Sequence, residues 1–194
     1  MQMTAESSSP SERKPTAATA PHSASETTAK FAPVPSLAVL FLDIDGVLNV
    51  GEDEGLCPLA VASLCKVAEA VPRLEVVLSS TWRHDDSDVA LLEKLLSKGG
   101  FTKKFLDITP DLAGTATRSD EIAQWLIANT ASGTCAGSAG NEQLPRLSAF
   151  VAIDDMQLLS CSGLGAPLLK GHTVRTDPDT GFTDADATAA IKIL

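Results

Sequence analysis

The chain has 194 residues, 44% of them hydrophobic, and a net charge of −10, which bounds it to one globular domain of ordinary size plus an appendage. Residues 1–36 carry three acids and three bases, so the whole deficit lies in residues 37–194, with 22 acids against 12 bases. That balance lacks the basic footprint of a nonspecific nucleic-acid binder and suits a site that recruits a divalent cation. No apolar run reaches 18 residues, so no membrane helix is expected, and no apolar stretch near Met1 reads as a secretory signal.

Ser, Thr, Ala and Pro fill 24 of the first 36 positions. Such a segment buries too little apolar surface to offset its chain entropy, so a disordered tail is expected. A transit peptide is the competing reading, but this tail has one Arg and three Glu, whereas such peptides are Arg-rich and acid-poor. An intracellular, cytoplasmic protein is therefore expected, with organelle targeting as the alternative. Cys57, Cys65, Cys135 and Cys161 form no C-x-x-C pair, which predicts free thiols and not a zinc site.

From residue 37 onward, strand and helix signals alternate. Residues 37–42, LAVLFL, are apolar throughout, the pattern of a parallel strand covered on both faces. Pro58 suits a first helical position, Val61, Leu64, Cys65 and Ala68 mark one face, and Pro72 ends the helix. A second strand is predicted over 75–80, and a helix over 85–98 with acids in its first turn and Lys98-Gly99-Gly100 at its end. A short strand follows at 105–108. Thr117 to Asp120 resembles a capping box and opens a helix carrying Ile122, Trp125 and Leu126. Residues 131–141 are small and polar, a surface loop. Strands are predicted at 149–153 and 173–175, and Thr183 with Asp186 caps a final helix through Ile191. The alternation predicts an α/β fold, a mostly parallel sheet with helices on both faces.

The polar residues that matter stand where those strands end. Asp43 and Asp45 follow the first strand, Ser79-Ser80-Thr81-Trp82-Arg83 the second, and Asp154-Asp155 the fourth, while Arg118 opens a helix. Ligands of open α/β sheets bind at the carboxyl ends of the strands. Paired carboxylates there are costly unless they hold a cation or move protons. A carboxylate that can attack phosphorus, a second carboxylate, a hydroxyl, a cation and a metal-binding acid pair are the parts that phosphoryl transfer needs. Each has a plainer reading: turn residues, strand-end polar groups, a helix-surface arginine. Trp82 is expected to pack, Arg83 to meet substrate or the Asp85-Asp86-Asp88 run, and the Asp177–Gly181 string to form a turn and not a calcium loop. His84 and His172 receive no role.

FLDIDGVLN resembles the first motif of the haloacid dehalogenase-like (HAD) phosphatases, VVLSSTWR the second, Arg118 the third and VAIDD the fourth. The GVLN ending, the SSTWR string, the R-x-x-E-I-x-x-W-L helix and the T-D-x-x-x-G-F-T stretch are most similar to the HAD domains of the "Swiss Army Knife" RNA repair proteins, over residues 37–194. The resemblance implies a three-layer Rossmann-like HAD fold. It implies Asp43 as nucleophile and metal ligand, and Asp45 as general acid, then base, with its backbone carbonyl toward the metal. Gly46 would turn the chain at the phosphate site. Ser80, or Ser79 in its place, would bind the phosphoryl group, and Arg118 would stabilise its charge where many members use Lys. Asp154 and Asp155 would complete a Mg²⁺ site. Only eight residues, 50–57, separate the first motif from the next helix, and 83–117 is filled by predicted elements, so no cap domain is expected. An open site implies a large phosphorylated substrate, a phosphoprotein or a nucleic-acid end, although the acidic charge gives nucleic acid no support. A nucleotide or small-metabolite phosphatase is one alternative, and a phosphate-binding or phosphoacceptor module without turnover is another. No membrane partner is expected, and the oligomeric state is open.

Overall fold

Five short apolar segments pair side by side in a computed structural model that describes residues 36–51, 55–112, 114–130, 146–160, 163 and 165–194. They are β1 (Ser36–Leu42), β2 (Leu74–Leu78), β3 (Phe105–Ile108), β4 (Arg146–Asp154) and β5 (Thr173–Arg175). All neighbours run parallel, in the order β3-β2-β1-β4-β5. The strand order reverses between β1 and β4, the place where such sheets open a crevice at their carboxyl ends. The tail predicted over 1–36 lies outside the described residues except for Ser36, which opens β1. The loop at 131–141, Cys135 and Cys161 also lie outside them.

Because strand side chains alternate, β1 feeds two separate cores. Ala38, Leu40 and Leu42 face helices α1 (Pro58–Ala70), α2 (Asp86–Lys98) and α5 (Asp184–Ile193), meeting Leu64, Leu92, Leu96 and Ala190. Leu37, Val39 and Phe41 face α3 (Arg118–Thr130) and α4 (Gly165–Leu169), meeting Ile122, Trp125, Leu126 and Leu169. The Trp125 ring stands edge-on to Phe41 at 5.2 Å. The result is a three-layer Rossmann-like HAD fold, with no cap domain among the described residues.

Local chemistry sets the boundaries. Thr183 and Asp186 form the reciprocal capping box of α5, and the Asp85 carboxylate accepts from the Ser87 backbone at 2.8 Å to cap α2. β2 stops at Leu78, two residues before the predicted end, because β1 offers it no ladder partner beyond Leu42. β4 starts three residues earlier than its apolar run. Ser148 is an extra residue there, since Leu37 pairs with Leu147 and Ala38 with Ala149, and its hydroxyl donates to the Leu37 carbonyl at 2.9 Å. The five-residue α4 was not predicted, since a segment with a glycine and an internal proline shows no helical period. Cys57 and Cys65 are free thiols.

Leu40 is wholly buried in the middle of the central strand. Leu40→Ala is expected to lower unfolding stability by about 2–5 kcal/mol, read from the shift of the denaturation midpoint at unchanged slope.

Candidate functional site

β1 ends at Leu42, and the Asp43 N–H donates to the Ile153 carbonyl at 3.1 Å, which fixes Asp43 beside the end of β4. The chain then turns back. Leu48 and Asn49 both donate to the Ile44 carbonyl at 2.8 Å, and Gly46 has φ +72. A side chain at Gly46 would be strained by that angle and would also collide with Asp155, whose Cγ lies 2.7 Å from the position of a Cβ. The turn is backed from behind: Thr176 Oγ1 donates to the Gly46 carbonyl at 2.8 Å, and Phe182 N–H to the Val47 carbonyl at 2.8 Å. The Asp177–Gly181 string is a turn, closed by Gly181 N–H on the Asp177 carbonyl at 2.7 Å.

Asp43 is 6% exposed and Asp154 1%, and with half-buried Asp155 they bring one carboxylate oxygen each to within 4.8 Å of one another. Burial raises the pKa of Asp43, against the pull of Arg118. Burial, and then the charge of Asp43, push Asp154 up to about 7. Asp154 Oδ1 accepts from the Met156 backbone at 2.8 Å, while its buried Oδ2 has no hydrogen bond. A buried carboxylate oxygen without a hydrogen bond, within an all-oxygen donor set, is what a hard divalent cation takes as ligand, so the residues present fit one.

Arg118 is the counter-charge. Its Nη1 lies 3.2 Å from Asp43 Oδ1 and 3.7 Å from Asp154 Oδ2, and donates to the Ser79 carbonyl. Ser79 thus faces the arginine through its backbone. Ser80 favours the charged form of the Asp43 carboxylate, and its buried hydroxyl, like that of Ser79, has no hydrogen-bond partner.

Three features were not read from the sequence. Arg83 forms no ion pair with the Asp85-Asp86-Asp88 run among the described residues. It is buried, donates from Nη2 to Glu121 Oε1 at 2.7 Å, and from Nη1 to the Ser80 carbonyl at 2.8 Å. Its nearest acids in sequence point to solvent around the start of α2, which left the buried Glu121 as its partner. Glu121 also reaches Arg118 Nε at 3.6 Å, an i, i+3 pair on α3 whose spacing was the available signal. Trp82 packs on the core and also donates from Nε1 to Asp45 Oδ2 at 3.0 Å. Asn49 Nδ2 holds Asp45 Oδ1 at 2.9 Å, so the Asp45 carboxylate stands apart from the other three. His84 lies 3.6 Å from Asp111 at the surface, and His172 stacks on Phe150.

A cavity of about 420 Å³ opens over Asp43, Asp45, Gly46, Arg118 and Asp155. Its floor holds carboxylates, its wall a guanidinium, and its rim an exposed carboxylate held by two neutral donors. No helix among the described residues is long and apolar enough to cross a membrane. A family model described as "HAD domain in Swiss Army Knife RNA repair proteins" matches residues 39–187. No curated protein and no solved structure gives a significant match.

The raised pKa of Asp154 has a sign that stability measurements read. The folded protein holds a proton at a carboxyl that the unfolded chain releases near 3.8, so the metal-free protein keeps this stability below that value and loses it as pH climbs through about 7. Asp154→Asn removes the ionisation, so without divalent cations it is expected to raise Tm at about pH 8, by less at about pH 5, and to change it little at about pH 3.5, below the unfolded value. Mg²⁺ at the higher pH is expected to raise the Tm of the unaltered protein more than that of the variant.

Proposed function

The chain belongs to the HAD domains of Swiss Army Knife RNA repair proteins, and on that premise we propose that it is a Mg²⁺-dependent phosphomonoester hydrolase with Asp43 as nucleophile. The observation that carries this reading is the cluster of Asp43, Asp154 and Asp155 with Arg118 set against it at the switch point of the sheet.

Asp43, Asp154 and Asp155 would hold the cation, which when bound neutralises phosphate charge and eases approach of an anionic nucleophile. The residues of the chain do the rest. A carboxylate oxygen of Asp43 attacks phosphorus, the bond to the leaving oxygen breaks, and an aspartyl-phosphate forms. Asp45, exposed at the rim, gives its proton to the leaving oxygen. It then takes a proton from the water that attacks the same phosphorus and releases phosphate and free Asp43. Arg118 and the Ser80 hydroxyl bind the phosphoryl oxygens, where charge accumulates in the transition state. Arg118 is fixed before substrate arrives by Glu121 on one side and the Ser79 carbonyl on the other, so little reorganisation is needed.

The substrate is a phosphorylated macromolecule, a phosphoprotein or a nucleic-acid end. The support is the short stretch of sequence between Asn49 and α1 and the lack, among the described residues, of any domain over the cavity. A panel of phosphopeptides, 3′- and 5′-phosphorylated oligonucleotides and free nucleotides tests this. Preference for free nucleotides would overturn it.

Asp43→Asn is expected to lower kcat on an aryl phosphate with Mg²⁺ by at least about a thousandfold, and undiminished turnover would refute the mechanism. Arg118→Lys removes the fork that spans Glu121, the Ser79 carbonyl and Asp43 at once. It is expected to lower kcat/KM by about tenfold or more, although Lys serves at this place in many HAD phosphatases.

A further inference from the structure

Asp45 is exposed, and among the described residues no ion pair reaches it. Each of its oxygens instead accepts from one neutral donor: Oδ1 from Asn49 at 2.9 Å and Oδ2 from the Trp82 indole at 3.0 Å. The two donors differ in origin. Asn49 belongs to the same turn as Asp45 and moves with it. Trp82 comes from the opposite wall, on the short 3-10 helix Thr81–His84 that follows β2.

That helix is held firmly. Arg83 within it bonds the Ser80 carbonyl and the buried Glu121, and the Trp82 ring packs on the core formed with α1, α2 and α5. One turn of chain therefore presents both the Ser80 hydroxyl that faces Asp43 and the indole that grips Asp45. The indole N–H is a donor only: it neither ionises at ordinary pH nor accepts a proton. A carboxyl oxygen has a second lone pair, so Asp45 keeps this bond whether it is protonated or not. A fixed cation in the same place would bind the charged form strongly, whereas an acid–base group must pass through both forms in each cycle.

We propose that Trp82 is a positioning residue for the acid–base step: its indole fixes the Asp45 carboxylate relative to the phosphoryl site. The proposal rests on the phosphatase reading above and adds to it a residue that touches neither phosphate nor metal. It has a specific consequence. Departure of an alkoxide needs a proton, whereas a nitrophenolate leaves without one. A misplaced Asp45 therefore hurts alkyl phosphates far more than activated aryl phosphates. A general loosening of the fold or of the phosphate site hurts both alike.

The test compares the full chain and its Trp82→Phe variant, with Mg²⁺, on glycerol 2-phosphate and on nitrophenyl phosphate. Phenylalanine retains most of the packing and removes the donor. The ratio of kcat/KM on the alkyl substrate to that on the aryl substrate is expected to fall at least about tenfold in the variant. An equal loss on both substrates, or no loss on either, overturns the proposal while leaving the phosphatase reading intact, since that reading is tested separately at Asp43. A second measurement is independent of turnover. The chain has two tryptophans, so the Trp82 indole N–H resonance is identified by its disappearance in Trp82→Phe. It is expected to move upfield in Asp45→Ala, which removes the acceptor of the indole N–H. A resonance indifferent to the Asp45 substitution overturns the proposal whatever the activity.

Discussion

Asp43 and Asp154 stand almost fully buried at the carboxyl ends of neighbouring parallel strands, close enough for a carboxylate oxygen of each, with one of Asp155, to share a single small space. Carboxylates stripped of water repel one another and resist ionisation, which is the origin of both raised pKa values. Much of the surrounding structure answers that repulsion. Arg118 lies against both carboxylates, the Met156 amide serves one oxygen of Asp154, and the oxygen left over is the natural ligand of a cation. The sheet makes the arrangement possible, because β1 and β4 meet where the strand order reverses and no domain among the described residues covers their ends.

Behind that group lies a second layer of buried charge. Arg83, Glu121 and Arg118 form a chain of ion pairs, with the two guanidiniums also bonding the successive carbonyls of Ser80 and Ser79. A buried ion pair contributes little net stability once desolvation is counted, so stability alone is a poor account of this one. Its geometric effect is clearer. It ties the chain after β2 to the start of α3, and so holds the serine hydroxyl, the arginine and the indole in one rigid frame around the carboxylates.

The layered α/β architecture was legible because its signals are local and repeated: the apolar run of β1, Pro58 at the start of α1, and the capping box of α5. Asp43, Asp154, Asp155 and Arg118 stood out because acids and a cation at strand and helix ends conflict with burial or with the helix dipole. The roles of Glu121, Arg83 and Trp82 were not legible for the opposite reason. Glu in the first turn of a helix, Arg near an acidic run and Trp after an apolar strand all have ordinary local explanations. Their partners lie 37 and 38 residues away, a pairing that only the folded sheet creates. The end of β2 depended likewise on where its neighbour stopped, and α4 on packing against α3 and not on its own sequence.

The central claim is that Asp43 itself bonds to phosphorus. An acyl phosphate, unlike a free carboxylate, is reduced by borohydride to an alcohol. Quenching the protein in acid during turnover of an aryl phosphate with Mg²⁺, reducing with borohydride and sequencing the peptides by mass should find homoserine at position 43 and at no other aspartate. Phosphate release with position 43 unmodified, or modification of Asp45 or Asp154 in its place, would contradict the account.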